Sequence, residues 1–158
     1  MKIYAKGADD TKRLVALWIE HFGAPVVVGR GRKLDPLALD GFVAEEDGVL
    51  LGAVTFLREG SEIEIVTLDG AVENRGAGTA LLDAVVARAR AEGVRRLFLV
   101  TTNDNIRAIR FYQKRGWDMV ALHRNAVAAA RALKPEIPVI GLDGIPIRHE
   151  IEFELIMA

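Results

Sequence analysis

The 158-residue chain has no cysteine. Disulfides, thiolate metal sites and a cysteine nucleophile are therefore excluded, and an intracellular, cytoplasmic compartment is the economical expectation. No apolar run approaches the roughly 20 residues that a membrane-spanning helix needs. The opening Met1-Lys2-Ile3-Tyr4-Ala5 lacks the pattern of a secretory signal. Neither sign of charge dominates: 21 Lys and Arg stand against 22 Asp and Glu, a net charge of −1. Neither a nucleic-acid footprint nor one for anionic membranes is expected from that balance. The three histidines have no ligand-like spacing, so no metal is predicted. Apolar residues, at 51%, are plentiful. At this length they predict one domain over residues 1–158, burying about two thirds of its unfolded surface.

The most informative stretch is residues 63–82. Ile63-Glu64-Ile65-Val66-Thr67-Leu68 reads as a buried strand, and a glycine-bearing loop follows it. Then Leu81, Leu82, Val85, Val86 and Ala89 recur at the period of a helix with one buried face, closed by Gly93. Gly76 and Gly78 fall where the first helical N–H groups have no partner within the helix. Such an N-terminus, with Arg75 beside it, suits a phosphate; a glycine-tolerant connection is the bland alternative. A phosphate-binding P-loop needs Lys followed by Ser or Thr after its last glycine, and Thr79-Ala80 stands there instead. A dinucleotide fingerprint needs a third glycine where Leu81 stands, although Asp104 after the next strand keeps that reading open.

Arg75-Gly76-Ala77-Gly78-Thr79-Ala80 resembles the signature of the GCN5-related N-acetyltransferase (GNAT) superfamily: Arg or Gln, two residues, Gly, one residue, Gly or Ala. A second block, Asn105-Ile106-Arg107-Ala108-Ile109-Arg110-Phe111-Tyr112 through Gly116-Trp117, is similar to that family's Asn-x-x-Ala-x-x-Phe-Tyr pattern. The resemblance implies an α/β three-layer sandwich. Its sheet would be mixed and mostly antiparallel, with a central parallel pair flanked by helices. It also implies that the strands ending at Leu68 and Thr101 splay to admit a cofactor arm.

Elsewhere, residues 1–5 read as a first strand, and Asp9, Asp10 and Thr11 as candidate caps for a helix carrying Leu14, Leu17, Trp18 and Phe22. His21, beside that stripe, reads as a packing residue rather than a catalytic one. Residues 24–39 read as irregular, and their basic Arg30-Gly31-Arg32-Lys33 as a solvated loop. The alternative is that these residues meet an acidic acceptor or a cofactor phosphate. Asp47-Gly48 and Glu59-Gly60 divide residues 41–69 into a three-stranded meander. Arg96 to Thr101 is an apolar run suited to a parallel strand, and Asn103, Asp104 and Asn105 cap the helix that follows. Residues 126–133 predict a short helix inside a long excursion. Residues 147–155 alternate as a half-buried final strand. His149 falls on its apolar face, as a core histidine bonded to backbone or as a lining of the acceptor cleft. The same strand offers an edge for a homodimer.

The resemblance implies acetyl-CoA as co-substrate and a primary amine, on a small molecule or peptide, as acceptor. Backbone groups of Thr67, Leu68 and Gly70 would pair with the pantetheine arm, and an N–H near Leu68 would polarise the thioester carbonyl. The amides of Gly76, Ala77, Gly78, Thr79 and Ala80, with Arg75, would hold the pyrophosphate, and Asn105 the cofactor arm. Tyr112 matches the family's general acid in position, a phenol of pKa roughly 10 able to protonate a departing thiolate. The amine needs a base. Glu64 is the better candidate of the pair Glu62 and Glu64, because an apolar setting raises a carboxyl pKa. An acyl-CoA-binding regulatory module on the same fold, and an NAD-binding redox enzyme, are the rival functions.

Overall fold

Asp47 and Gly48 both take left-handed backbone, with φ of 51° and 77°. A two-residue hairpin turn with the twist of its strands requires this, and it sets the first pairs of the hairpin, Glu46 with Val49 and Glu45 with Leu50. In the computed structural model the chain is described over residues 1–71 and 76–158. The order is β1 (Lys2–Ala5), α1 (Thr11–Phe22), β2 (Val27–Gly29), β3 (Arg32–Leu34), β4 (Asp40–Glu46), β5 (Val49–Glu59), β6 (Glu62–Gly70), α2 (Ala77–Ala91), β7 (Arg96–Thr102), α3 (Ile106–Lys114), β8 (Asp118–His123), α4 (Ala126–Leu133) and β9 (Glu150–Ile156). Seven of the strands form a mostly antiparallel sheet with one parallel pair, and β2 pairs only with β3.

The chain divides into two compact units. The first holds Met1–Val27, Asp35–Leu97 and Met157–Ala158; the second holds Val28–Leu34 and Phe98–Ile156. In the first unit β1, β4, β5 and β6 lie side by side, each antiparallel to its neighbour. Val43, Ala53 and Asp69 are opposite one another across β4, β5 and β6. Leu14, Leu17 and Trp18 of α1 pack on Val43 and Ala53, so α1 covers that face. Leu81 of α2 lies against Gly52, on the other face. Asp10 stands at the N-cap of α1 but makes no capping bond. Its carboxylate instead accepts from the Tyr4 hydroxyl at 2.7 Å and the Gly7 amide at 2.9 Å, and pairs with Arg13, which also meets Glu45. The expected helix cap is thus spent tying β1, α1 and β4 together.

The meander holds two irregularities that a strict alternation of two cannot reveal: Leu51 is an extra residue in β5 opposite Ala44 and Glu45, and β6 has another. Thr55 opposes Thr67, but the next residue, Phe56, opposes Ile65, leaving Val66 as an extra residue in β6. A β-bulge of this kind reverses the facing of everything beyond it. Glu64 is opposite Leu57, Thr67 opposite Thr55 and Asp69 opposite Ala53. Leu57, Thr55 and Ala53 are spaced by two along β5 and share one face. Glu64, Thr67 and Asp69 therefore share it too, the face on which α1 lies.

In the second unit the spatial order is β7, β9, β8, with β8 and β9 antiparallel. The final strand begins at Glu150 rather than at Ile147. The residues before it are drawn into other bonds: the Ile147 amide to Val139 O at 2.9 Å, and those of Arg148 and His149 to Asn103 Oδ1 at 2.8 and 2.9 Å. Glu150 is buried, against the expected alternation, because it turns toward β2 and β3 and accepts from the Arg30 amide. That segment is a hairpin, not the irregular stretch expected, although Arg30, Gly31 and Lys33 are exposed as a solvated turn would be; the Arg30 guanidinium lies over the Phe98 ring at 4.8 Å.

The long excursion after β8 is pinned rather than loose. Asp104, buried, accepts from Thr102 Oγ1 at 2.6 Å and from the Leu142 amide at 3.0 Å. Arg131 of α4 donates to the carbonyls of Pro138 and Ile147. A Cβ at Gly141 would sit 2.1 Å from Asp104 Oδ2 and 2.6 Å from Ile147 Cγ1. Gly141→Ala is therefore expected to lower stability by about 1–3 kcal/mol, read as a lower urea midpoint at constant m-value. An unchanged midpoint would show that this brace yields freely.

Candidate active site

β6 and the start of α2 carry most of the residues that the sequence singles out. Glu64 is buried, at 6% exposure, and the expected companion on its face, Glu62, lies 3.5 Å from Arg96. Thr67 is buried, its hydroxyl 2.7 Å from that of Thr55. Leu68 is partly buried and Gly70 exposed. The bulge at Val66 interrupts the ladder immediately before Thr67 and Leu68, the residues expected to offer backbone groups to an extended arm.

Gly76 is the N-cap of α2, with left-handed backbone at φ 75°. Ala77, Gly78 and Thr79 form the first turn, whose amides have no acceptor within the helix. The Ala80 amide already donates to Gly76 O at 3.1 Å, so it closes the turn. Its place among the expected phosphate donors is accordingly the weakest. No acidic residue stands in that turn and no side chain caps it. Within its own first turn the positive end of this 15-residue helix meets no carboxylate. Arg75 lies outside the described residues.

In the second unit, Asn105 caps α3 as expected: its Oδ1 accepts from the Ala108 amide at 3.2 Å. Tyr112, at 5% exposure, is packed in an aromatic group. Its ring centroid is 5.1 Å from Phe111, 5.3 Å from Trp117 and 5.8 Å from Phe153. Phe111 lies beneath the Arg115 guanidinium at 3.6 Å. The two aromatics thus differ: Tyr112 is enclosed on several sides, Phe111 half-buried under a cation. His149 Nδ1 accepts from the Asn125 amide at 2.9 Å, so it is bonded to backbone as expected, but it is half-buried and precedes β9 rather than sitting in the core.

One pair escapes the sequence reading. His21, near the end of α1, places Nδ1 3.3 Å from Asp69 Oδ1. Asp69 is 6% exposed and His21 exposed. Trp18 Nε1, buried beside it, is another polar atom near the Asp69 carboxyl. The Trp18 indole N–H favours the charged carboxylate as a hydrogen-bond donor does. Burial pushes the Asp69 pKa up, and His21 only partly offsets it. The hydrogen bond to Asp69 raises the His21 pKa against some desolvation. The signal was present: a lone acid ending an apolar strand, and a histidine at helical spacing from Trp18. Their meeting across α1 and β6 was not legible.

The two shifts act in the same sense on stability. A histidine whose folded pKa exceeds its unfolded value of about 6.5 stabilises fully below that pH. The contribution is lost as pH climbs through the folded value. Asp69, also raised, opposes folding once ionised. The urea midpoint is expected to fall as pH rises above about 6.5, and His21→Gln to flatten that fall. A wild-type midpoint that rises over the same range would contradict the pairing.

The acetyltransferase (GNAT) family model matches residues 13–117, and the chain belongs to that family. It is 43% identical over 145 residues to the uncharacterized protein YdhI of Bacillus subtilis (strain 168), covering 91% of each chain. An amino-acid acetyltransferase of Aeromonas salmonicida (strain A449) is 32% identical over 98 residues, 59% of this chain and 21% of that protein. Among solved structures, a GNAT family acetyltransferase from Elizabethkingia anophelis with acetyl-CoA bound aligns with a TM-score of 0.72. The alignment covers 99% of this chain and 97% of that one, and at 17% identity it is the fold that is shared. Among the described residues, no helix is long and apolar enough to cross a membrane.

Proposed function

We propose that this chain, as a single catalytic domain, transfers the acetyl group of acetyl-CoA directly to a primary amine. The observation that carries this reading is the sequence of a bulged strand end at Thr67 to Gly70 and the uncapped, acid-free N-terminus of α2. One can hold an extended arm by backbone bonds and the other a pyrophosphate. The acetyl-CoA in the Elizabethkingia structure and the amino-acid substrate class of the Aeromonas relative support it.

Gly76, Ala77, Gly78, Thr79 and Arg75 receive the pyrophosphate, with Ala80 closing the turn behind them. Thr67, Leu68 and Gly70 align the pantetheine, and the side-chain amide of Asn105 bonds the cofactor arm. The Leu68 N–H stabilises the oxyanion that forms when nitrogen attacks the thioester carbonyl. Glu64 accepts a proton from that nitrogen. Tyr112 gives its phenolic proton to the departing thiolate. The row Glu64, Thr67 and Asp69 makes the α1 face of β6 the side from which a cationic acceptor is drawn in. The acceptor is an amine on a small molecule or a peptide.

A thermal-shift titration with acetyl-CoA, coenzyme A and NAD tests the cofactor. Binding at about 100 times the dissociation constant adds about 2.7 kcal/mol. Both CoA species should raise Tm and NAD should not. Stabilisation by NAD alone, or by none of the three, would overturn the assignment.

A further inference from the structure

We propose that His21, held in place by Asp69, takes the first proton from the acceptor ammonium. This rests on the acetyl-transfer reading above and adds a residue to it. The geometry is that of a buried acid orienting an imidazole. Asp69 is 6% exposed, on a face otherwise covered by Leu14, Leu17 and Trp18. Its Oδ1 stands 3.3 Å from His21 Nδ1. A carboxylate at Nδ1 fixes the neutral tautomer with the proton on Nδ1, leaving the Nε2 lone pair as the acceptor.

The placement points to a reacting group rather than to packing alone. The imidazole is exposed while the acid that holds it is buried, and the Trp18 indole also favours the charged carboxylate. Asp69 is one residue, about 3.3 Å along the strand, beyond Leu68, whose N–H is assigned to the thioester oxygen. The pair thus stands at the reacting end of β6 rather than in its interior. Among the described residues, the charged groups that act on His21 are Asp69 from β6 and Glu20 on its own helix. Both are acidic and favour the protonated imidazole, as an acceptor of protons near neutral pH requires.

The proton balance is complete with the residues named. The ammonium gives one proton to His21 Nε2, which releases it to solvent. The freed lone pair attacks the thioester carbonyl carbon; the C–N bond forms and the C–S bond breaks, with its electron pair leaving on sulfur. Glu64 takes the second nitrogen proton and releases it to solvent. Tyr112 protonates the thiolate and is reprotonated through solvent. His21 is thereby a catalytic residue and Asp69 a positioning residue.

The test is the pH profile of kcat/KM for acetyl-CoA-dependent thiol release, with a panel of free amino acids, a polyamine and a lysine peptide. Wild type should show an acidic limb, the rate rising as His21 loses its proton. His21→Gln should lower kcat/KM about 10²- to 10⁴-fold at neutral pH and abolish that limb, while acetyl-CoA still raises Tm as in wild type. Asp69→Asn should move the limb to lower pH, because the charge that holds the proton on His21 is gone. His21→Ala should recover activity with added imidazole, which a packing role cannot do. His123→Gln, paired on the surface with Glu152, should leave the profile unchanged. The proposal is overturned if His21→Gln keeps wild-type activity and profile, or if Glu64→Gln alone removes the acidic limb. Failure of the acetyl-transfer reading looks different: wild type binds no acetyl-CoA, or releases no thiol with any amine, and the role of His21 falls with it.

Discussion

Tyr112→Phe is expected to lower kcat about 10²- to 10⁴-fold while leaving acetyl-CoA affinity and Tm close to those of wild type. The ring is packed against Phe111, Trp117 and Phe153, and phenylalanine fills the same space. Only the hydroxyl is lost. If that hydroxyl protonates the leaving thiolate, the loss falls on the transition state and not on ground-state binding, so kcat and kcat/KM should fall together. Steady-state kinetics with an acceptor from the amine panel check it. A kcat within a factor of two or three of wild type would reduce Tyr112 to a packing residue.

Phe153→Ala should have the largest effect on stability. The side chain is wholly buried in β9, opposite Met119 of β8 and beside the Tyr112 ring. Truncating a buried phenylalanine costs about 3–5 kcal/mol, transfer and cavity together. At about 2–4 °C per kcal/mol for a chain of this size, Tm should fall by about 6–20 °C. Phe153→Leu, which keeps most of the volume, should recover much of that loss. Turnover should also drop in the alanine variant, because Tyr112 loses one of the walls that orient it. Unchanged Tm in Phe153→Ala would mean that the aromatic group around Tyr112 is not a packed unit.

Local signals in the sequence carried far. Asp47-Gly48 gave a hairpin because only residues tolerant of left-handed backbone close such a turn. The Leu81 to Ala89 periodicity gave α2, and the Asn105 cap gave α3. What failed was long-range or depended on a register. The bulge at Val66 has no letter that marks it, yet it decides that Glu64 faces the same way as Thr67 and Asp69. Arg30 and Lys33 are exposed as expected, but nothing nearby in sequence says that their segment is a hairpin or that Phe98 and Glu150 meet it at Arg30. Asp10 looked like a helix cap, its commonest use, until Tyr4 and Arg13 claimed it. His21 and Asp69 lie 48 positions apart in the sequence. Each alone reads as ordinary, and only the fold brings them together.

The most direct measurement is acetyl-CoA turnover by the purified wild-type chain over the amine panel, with released thiol and N-acetyl product quantified together. The expected result is amine-dependent thiol release matched one for one by N-acetyl product. Tight acetyl-CoA binding with no amine-dependent release would contradict the transferase reading and make this chain an acyl-CoA-binding module on the same fold.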